Sequence, residues 1–225
     1  MHARADMPPA RSLAAMTETE LYDQQGFLAL PALFPVAVLD AFHRQLRADL
    51  GFAEGHVVRY MAPDKLLRGV TVNIHAAEYA PLTTFHWGLT PRMAQLIGRD
   101  LLPSFAFFRI YQRDEICRVH ADRVECEHSL SLTVAAEGEA PWSLSLATTD
   151  GPDSKVREDF DDRPFASVPM RPGDAVAYRG IDRRHGRIEP NPNAWSAHLF
   201  LHWVDADGRY RDRAFDRVRQ PTVPV

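Results

Sequence analysis

One short stretch of the sequence carries side chains that could bind a metal ion together. In the segment RVHAD, His120 and Asp122 stand two residues apart, on or just after a predicted strand. Because alternate residues of a strand point to the same face, both side chains can reach a single ion. Two imidazoles and one carboxylate leave coordination positions open, an arrangement that suits iron(II) and oxygen chemistry. The pair therefore predicts a metal site that needs one more histidine.

The second histidine must come from elsewhere in a chain that contains ten. His185 is the best placed, because it follows PGDAVAYRG, a turn and a strand, and begins a further strand. We therefore expect His120, Asp122 and His185 to be the ligands and the catalytic centre. An HxD pair also arises often by chance, and the alternative interpretation is a surface histidine with a loop aspartate.

The elements that would position these side chains are mostly short strands. One helix is expected among them, from Pro91. Strands at this regular spacing, with few helices between them, are typical of an antiparallel sandwich or barrel, so the predicted fold class is mainly β. The segments with a period of two are HVVRYM at 56–61, GVTVNIHA at 69–76, SFAFFRIYQ, ICRVHAD, HSLSLTVAA, WSLSLATT, DAVAYRG, HGRIE and AHLFLHWV.

The N-terminal part predicts a leader followed by two helices. Residues 1–16 mix Pro, Ala and Arg without a period, and we expect a disordered leader there and one domain over 17–225. Thr17 has a glutamate three residues on, the spacing of a capping box, and Gly26 suits the end of this helix. Pro35 suits the first helical position of a second, amphipathic helix.

Composition excludes several classes of protein. The 225 residues carry a formal net charge of -4, with basic residues spread along the chain, which disfavours a nucleic-acid partner. No apolar run approaches the roughly 18 residues of a membrane span. Two cysteines cannot build a disulfide-rich secreted fold, and no signal peptide is evident, so we expect a cytoplasmic protein. The composition leaves the oligomeric state open.

A long charged insert at 151–164 interrupts the strands. Inserts of this kind between core strands are often mobile and functional. We expect a mobile loop that acts as a lid over a barrel mouth.

Cysteines near the HxD pair invite a zinc interpretation. Cys117, Cys126 and His128 lie close to the pair in sequence, but their spacing matches no common structural zinc pattern. Strand alternation would place Cys117 on the face opposite His120, which favours buried thiols.

Three segments resemble a known superfamily, in the same order along the chain. LYDQQGFLALPALFPVAVLDAF resembles the N-terminal signature of the phytanoyl-CoA dioxygenase-like group, and YQRDEICRVHAD is similar to the tyrosine and HxD segment of that group and of prolyl-4-hydroxylase-like enzymes. RPGDAVAYRGIDRRHGR with AHLFLHWVDADG resembles their distal-histidine segment. The resemblance implies a double-stranded β-helix, a cupin-like jelly roll, with N-terminal helices packed on its outside.

The resemblance also implies an activity. His120, Asp122 and His185 would hold iron(II), and the co-substrate 2-oxoglutarate would bind the iron through its keto oxygen and C1 carboxylate. Such a dioxygenase hydroxylates, or otherwise oxidises, a small molecule or a side chain and releases succinate and CO2, with ascorbate as a reductant. The sequence does not identify the substrate.

One position departs from the family pattern. The relatives carry an arginine on the last core strand, which pairs with the C5 carboxylate of 2-oxoglutarate, and Ser196 stands at that place. Arg187 is the next candidate, because it lies two residues beyond His185 and shares its strand face. Arg118 is the runner-up, and Tyr111 would donate its hydroxyl to the co-substrate, as the matching tyrosine does in the relatives.

Two other functions stay open on these grounds. The first is a cupin-type metal-binding β-roll that uses iron or another divalent ion without 2-oxoglutarate, which the missing arginine allows. The second is a catalytically silent β-roll that serves as a binding module. The complete set of His120, Asp122 and His185 argues against the silent module.

Overall fold

A computed structural model describes residues 16–151 and 155–219 of the protein. The predicted leader therefore lies outside the described residues, except for Met16. Within the described part, no helix is both long enough and apolar enough to cross a membrane. The helices are α1 (Glu18–Gln25), α2 (Val36–Asp49) and α3 (Ala80–Ile97), and 3-10 turns span His56–Tyr60, Val124–Cys126 and Arg211–Arg219.

Helix α1 begins and ends as predicted. The Thr17 hydroxyl accepts a hydrogen bond from the Glu20 backbone N–H at 3.2 Å, and the Glu20 carboxylate accepts one from the Thr17 N–H at 2.8 Å. This reciprocal pair is a capping box. Gly26 ends the helix with a φ of 73°, a left-handed conformation that glycine adopts without strain.

The other two helices do not begin at the residues that the sequence predicts. Pro35 is the N-cap of α2 and not its first helical residue. The prediction that a helix starts at Pro91 is wrong, because α3 begins at Ala80 and Pro91 lies inside it. An internal proline removes one helical hydrogen bond. Burial of one apolar side of α3, including Leu82 and Met93, outweighs that loss.

Eleven strands occupy most of the rest of the described chain. A strand predicted over 56–61 is wrong for its first five residues, which form a 3-10 turn and bury none of their side chains. The strands are β1 (Phe27–Leu30), β2 (Met61–Pro63), β3 (Val70–His75), β4 (Leu101–Gln112), β5 (Cys117–His120), β6 (His128–Ala136), β7 (Leu144–Ala147), β8 (Phe165–Val168), β9 (Ala175–Tyr178), β10 (His185–Arg187) and β11 (Trp195–Asp205).

These strands form two antiparallel sheets that enclose a cavity. The larger sheet has the order β1-β9-β6-β11-β4-β3-β2, and the smaller has the order β5-β10-β7-β8. The predicted mainly β jelly roll is confirmed. The helices cover the outside of the larger sheet, where α3 contacts β4 and α2 contacts β6.

Residue alternation gives the long strands β4 and β11 two different faces. Phe108, Leu199 and Trp203 point outward and join the main hydrophobic core beneath the helices. Phe107 and Phe200 lie on the opposite face and line the cavity inside the roll. The stability of the larger sheet and the lining of the cavity therefore depend on different residues of the same strands.

The charged insert differs from the free lid that its composition suggests. Within its described part, Arg157 and Val119 exchange two backbone hydrogen bonds of 2.8 and 3.0 Å. Phe160 is fully buried against Val119 and Ala147. Val156 lines the same cavity as His120. Residues 155–164 thus pack beside the strand that carries the HxD pair.

Candidate metal centre

A β-bulge in β5 determines which of its side chains face the cavity. His120 pairs with His185 across the smaller sheet, and Cys117 pairs with Arg187. Three residue steps on β5 therefore match two on β10, so β5 holds one extra residue. The extra residue brings Cys117 to the cavity that His120 also lines. The expectation that Cys117 faces away from His120 is wrong, because simple alternation does not hold across a bulge.

His120, Asp122 and His185 converge as the sequence predicts. Their potential ligand atoms all lie within 4.8 Å of one another. The Nε2 atoms of His120 and His185 are each 3.5 Å from Oδ1 of Asp122. The two imidazole rings lie 4.5 Å apart, measured between centroids.

The remaining nitrogen of each imidazole is occupied by the backbone. Nδ1 of His120 lies 2.8 Å from the Arg118 carbonyl oxygen, and Nδ1 of His185 lies 2.8 Å from the Arg183 carbonyl oxygen. A carbonyl only accepts, so both Nδ1 atoms carry the proton. Each Nε2 then faces Asp122 and is the nitrogen that a metal ion would bind in place of a proton.

Asp122 is held in place by its own set of contacts. Its backbone N–H donates to the Gly180 carbonyl at 2.9 Å, and Ser129 Oγ donates to its Oδ2 at 3.1 Å. Burial alone would raise the pKa of the Asp122 carboxyl, but His185 and the hydrogen bonds from both histidines hold that pKa well below its usual range. Oδ1 is thus an ionised ligand atom that faces the two Nε2 atoms.

The donor set fits a divalent metal ion with open coordination positions. Two imidazole Nε2 atoms and one carboxylate oxygen approach one another, and the other polar atoms of these three side chains are already bonded to the protein. A second group of donors, Asp122, Cys126 and His202, shares the same carboxylate. A third, which includes His128 and Asp205, is joined internally by a hydrogen bond of 2.9 Å.

The candidate triad lies in a cavity of about 1010 Å³ that Arg187 also lines. The Arg187 side chain is 1% exposed and donates to the Trp142 carbonyl at 2.7 Å. No carboxylate of the described residues forms an ion pair with it. Burial lowers the pKa of Arg187, and the opposing groups are the hydroxyls of Tyr111 and Tyr178 and the thiol of Cys117. The cavity therefore contains a buried guanidinium without an anion.

A second buried arginine in the cavity has a different environment. Arg109 donates from Nη2 to Asp64 at 2.9 Å and from Nε to Asn73 at 2.5 Å. Its Nη1 lies 3.5 Å from the Tyr111 hydroxyl. Arg109 thus has a carboxylate partner of its own, which leaves Arg187 as the better anion site.

The other residues predicted to bind the co-substrate lie in different environments. Tyr111 lines the cavity and is 1% exposed. Ser196 is buried and donates to Oδ1 of Asn191 at 2.9 Å. Arg118 binds Glu158 through Nε at 2.5 Å on the outer side of β5 and does not line the cavity. Of the two arginine candidates, only Arg187 is brought together with the triad.

Sequence reasoning missed residues that support the site from a distance in the chain. Ser129 joins Asp122 to His202, with 2.8 Å between its Oγ and Nδ1 of His202. Burial lowers the pKa of His202 to about 4, so its ring is neutral near pH 7. Arg109 left a signal, since it is the one charged residue in the apolar strand FAFFRIYQ. Ser129 left none, because its partner depends on sheet register.

Comparisons with known proteins place the fold. No family model and no curated protein matches the chain. Among solved structures, a prolyl-4-hydroxylase from Pseudomonas putida matches with a TM-score of 0.56 and 15% identity, over 85% of this chain and 98% of that one. The α-ketoglutarate-dependent carbocyclase SnoK from nogalamycin biosynthesis matches with a TM-score of 0.64 and 15% identity, over 88% and 85%.

A third similar structure was solved with ligands. HygX from Streptomyces hygroscopicus, with nickel and 2-oxoglutarate bound, matches with a TM-score of 0.62 and 11% identity, over 86% of this chain and 89% of that one. At such low identity these likenesses establish the fold alone. The chain has the double-stranded β-helix fold of the iron- and 2-oxoglutarate-dependent oxygenases.

Proposed function

We propose that this protein is an iron(II)- and 2-oxoglutarate-dependent oxygenase that hydroxylates a small molecule. The observation that carries the proposal is the convergence of two imidazole Nε2 atoms on the Asp122 carboxylate, inside a cavity whose Arg187 guanidinium forms no ion pair with a carboxylate of the described residues. The overall reaction would consume substrate, 2-oxoglutarate and O2, and would form the hydroxylated product, succinate and CO2. One oxygen atom of O2 would then appear in the hydroxyl group of the product and the other in succinate.

His120, Asp122 and His185 would hold the iron. When bound with 2-oxoglutarate, the iron supplies the oxidising power for attack on a C–H bond. The protein contributes geometry, because backbone carbonyls fix both imidazole rings and Ser129 fixes the carboxylate. This preorganisation supports the proposal, since ligands held by a rigid second layer of contacts bind metal more tightly.

Arg187 would bind the C5 carboxylate of 2-oxoglutarate. It lies two residues beyond His185, roughly 6.6 Å along a strand, a spacing comparable to the length of a five-carbon dicarboxylate. A guanidinium can bind a carboxylate with two parallel hydrogen bonds. Tyr111, whose hydroxyl lies near Arg109 in the same cavity, is a further donor. HygX, which has the same fold, has been solved with 2-oxoglutarate bound.

The test is release of succinate from 2-oxoglutarate by the full-length chain with iron(II), ascorbate and a panel of small molecules. Succinate above the metal-free background, together with a product whose mass rises by one oxygen from ¹⁸O2, is the expected result. Bound metal without succinate would favour the cupin-type alternative. Failure to bind any divalent metal would overturn both. A product of another kind would keep the co-substrate and replace hydroxylation, since SnoK is a carbocyclase and SnoN an epimerase.

We also propose that the protein is cytoplasmic and that it does not bind nucleic acid. Both cysteines are buried and free, as expected for a cytoplasmic protein. The formal net charge of -4 supports a small-molecule substrate over a nucleic acid. Localisation of a tagged full-length protein and a binding assay with duplex DNA and RNA test these points.

A further inference from the structure

Five rings form a continuous aromatic surface on one wall of the cavity, which we call the aromatic wall. Its members come from the three neighbouring strands β3, β4 and β11. His75 pairs with Phe107, and Phe107 pairs with Phe200, so these three rings form one row across the sheet. Phe105 and His202 form the adjacent row. All five rings line the cavity.

The rings of the aromatic wall contact one another in nearly parallel pairs. Phe107 and Phe200 stack with 4.8 Å between centroids and 16° between planes. Phe105 and His202 stack at 5.7 Å with the same angle. His75 joins the two rows, at 5.6 Å from Phe105 and 6.0 Å from Phe107. The wall is therefore one connected surface and not a set of isolated side chains.

The aromatic wall adjoins the metal centre at one end. His202 is bonded to Ser129, which in turn bonds to the Asp122 carboxylate. Phe105 and Phe107 are only half-buried, because their exposed parts face the cavity. A molecule that lies against these rings has one edge next to the predicted metal ligands.

Charged side chains beside the aromatic wall have partners of their own. Arg109 lies 5.0 Å over the Phe107 ring and pairs with Asp64 and Asn73. Arg123 lies 4.3 Å over the Phe105 ring. These cations cover faces of the rings that a ligand would otherwise reach. Each cation is attracted to the ring beneath it, and Arg109 is also paired with the Asp64 carboxylate. Phe105 and Phe107 therefore each have one face against a stacked ring and the other against a cation, so the surface they leave for a ligand is made of ring edges.

We propose that the aromatic wall binds a planar aromatic ring system of the substrate, so that the carbon to be oxidised lies at the end next to Asp122. The whole face of a flat aromatic ring can lie against these ring edges, because aromatic pairs favour edge-to-face contact between the negative face of one ring and the positive edge of another. A puckered aliphatic ring of the same size touches the wall at fewer atoms. This inference rests on the proposed function for the position of the reacting carbon, but not for binding itself.

A pair of matched probes tests the proposal without turnover. The full-length chain, with nickel(II) in place of iron(II) and with 2-oxoglutarate present, is titrated calorimetrically with 2-naphthol and with trans-decahydro-2-naphthol. The two probes share a carbon skeleton and one hydroxyl and differ in planarity and aromaticity. We expect 2-naphthol to bind at least tenfold more tightly. Equal or tighter binding of the saturated probe would overturn the proposal.

Substitutions locate the binding. Phe107→Leu and Phe105→Leu keep apolar volume but remove a ring from the wall, and should lower the preference for 2-naphthol at least threefold. Trp87→Leu is the matched control, because Trp87 is an aromatic residue 49% exposed on α3 and outside the cavity. Its preference should be unchanged. Unchanged preference in both phenylalanine variants, with nickel binding and melting temperature intact, would place the bound ring elsewhere and refute the wall.

The proposed function and the aromatic wall can fail separately. Discrimination between the probes without succinate release would leave the wall in place and remove the oxygenase. Succinate release that only non-aromatic compounds stimulate, together with equal binding of the two probes, would support the oxygenase and refute the aromatic wall. The titrations repeated without nickel and 2-oxoglutarate show whether binding to the wall requires the loaded site.

Discussion

His120 and His185 are oriented by the same local bond, from Nδ1–H to the carbonyl two residues earlier in the chain. The bond needs no long-range partner, so each imidazole is oriented by the chain segment that immediately precedes it. Pairing of β5 with β10 then brings the two Nε2 atoms together. At the scale of the residue, the candidate metal centre is therefore a local geometry repeated at two neighbouring strands.

Loss of any one ligand should abolish metal binding and leave the roll folded. His120→Ala, Asp122→Ala and His185→Ala each remove one donor, but the core that holds the sheets together lies on other residues. We expect the nickel or iron content to fall below one tenth of the wild-type value, measured by elemental analysis, with cooperative thermal unfolding retained. His56→Ala, which changes an exposed histidine in a 3-10 turn, is the control. A variant that keeps full metal content excludes that residue as a ligand.

Arg187 should control affinity for 2-oxoglutarate. Removal of one partner from a desolvated charge pair typically costs roughly 2–5 kcal/mol, so Arg187→Ala should raise the KM for 2-oxoglutarate at least tenfold with metal content unchanged. Arg187→Lys should recover part of the affinity, because it restores the charge without the forked geometry. Arg118→Ala is the matched control, since Arg118 binds Glu158 outside the cavity.

An unchanged KM in the Arg187 variant would remove this residue from the co-substrate site. Arg187 also bonds to the Trp142 carbonyl, so its loss affects packing as well. Direct calorimetric titration with 2-oxoglutarate, on a variant whose melting temperature has been measured, separates the two effects. Weaker binding with retained folding is the outcome that supports the assignment.

Sequence reasoning predicted the three side chains that converge in the fold, because their type and spacing are local. The HxD pair and the turn before His185 can be recognised without knowledge of the sheet. The face of Cys117 was predicted wrongly, because a bulge leaves no mark in the alternation of residue types. The link from Ser129 to Asp122 and His202 could not be predicted, since it depends on the register between strands far apart in the chain.

At the scale of the element, the close approach of β5 and β10 should limit what can replace Gly186. A Cβ at this position would lie 2.7 Å from the Cys117 carbonyl oxygen and 3.1 Å from the Arg118 carbonyl group. These are backbone atoms of the paired strand, so Gly186→Ala should push β10 away from β5 and separate His185 from His120. We expect at least a tenfold loss of nickel affinity, measured by calorimetry.

Gly88→Ala is the matched control for this substitution. Gly88 lies inside α3, and a Cβ there meets no atom within 4 Å. Alanine in a helix interior is favoured over glycine by roughly 0.5–1 kcal/mol, so this variant should be slightly more stable and keep its nickel affinity. Wild-type affinity in Gly186→Ala would show that the two strands can separate without moving the ligands.

Most strands could be predicted from their period, and the failures share a cause. The segment 56–60 has strand-like composition but buries none of its side chains, and it forms a 3-10 turn. Pro91 is a helix-start signal in isolation, yet packing of the whole of α3 on the larger sheet overrides it. The insert at 151–164 has the composition of a loop, and only the fold shows that one of its residues, Phe160, is buried against Val119 and Ala147. In each case the tertiary structure, and not the local sequence pattern, determined the conformation of the segment.

At the scale of the whole molecule, a chain of hydrogen bonds joins the first helix to the last strand. The Tyr22 hydroxyl lies 2.9 Å from Nδ1 of His128, and Nε2 of His128 lies 2.9 Å from Oδ1 of Asp205. The hydrogen bond from His128 holds the pKa of the Asp205 carboxyl below its usual value. This chain closes the N-terminal helix onto the roll.

Stability should consequently fall in acid partly through Asp205. A carboxyl whose pKa is lowered by folding stabilises the protein above its unfolded pKa, near 3.9, and this stability is lost as the pH falls through the folded pKa. Asp205→Asn should therefore melt below the wild type at pH 7, and the difference should narrow below about pH 4. Thermal melts from pH 7 to pH 3 measure it, with Asp207→Asn, an exposed aspartate nearby, as the control. A difference independent of pH would contradict the assignment.

The architecture was predictable in outline because three segments resemble a known superfamily in the same order. The order of strands within the two sheets was not predictable, since β5 pairs with β10 and β1 pairs with β9 across long stretches of chain. A single domain over 17–225 remains a prediction. The outline came from matching short segments, whereas the details needed contacts between residues far apart in sequence.

The two faces of β4 and β11 also bear on how this protein could change during evolution or in a directed library. From Phe105 onward, odd-numbered positions of β4, such as Phe105 and Phe107, face the cavity, while even-numbered positions, such as Phe108, face the core under the helices. Positions that determine ligand selectivity therefore alternate along this segment with positions that stabilise the fold. Randomising 105, 107 and 200 alone samples new selectivities while the scaffold keeps its sequence, so a small combinatorial library can explore the cavity at little risk to folding.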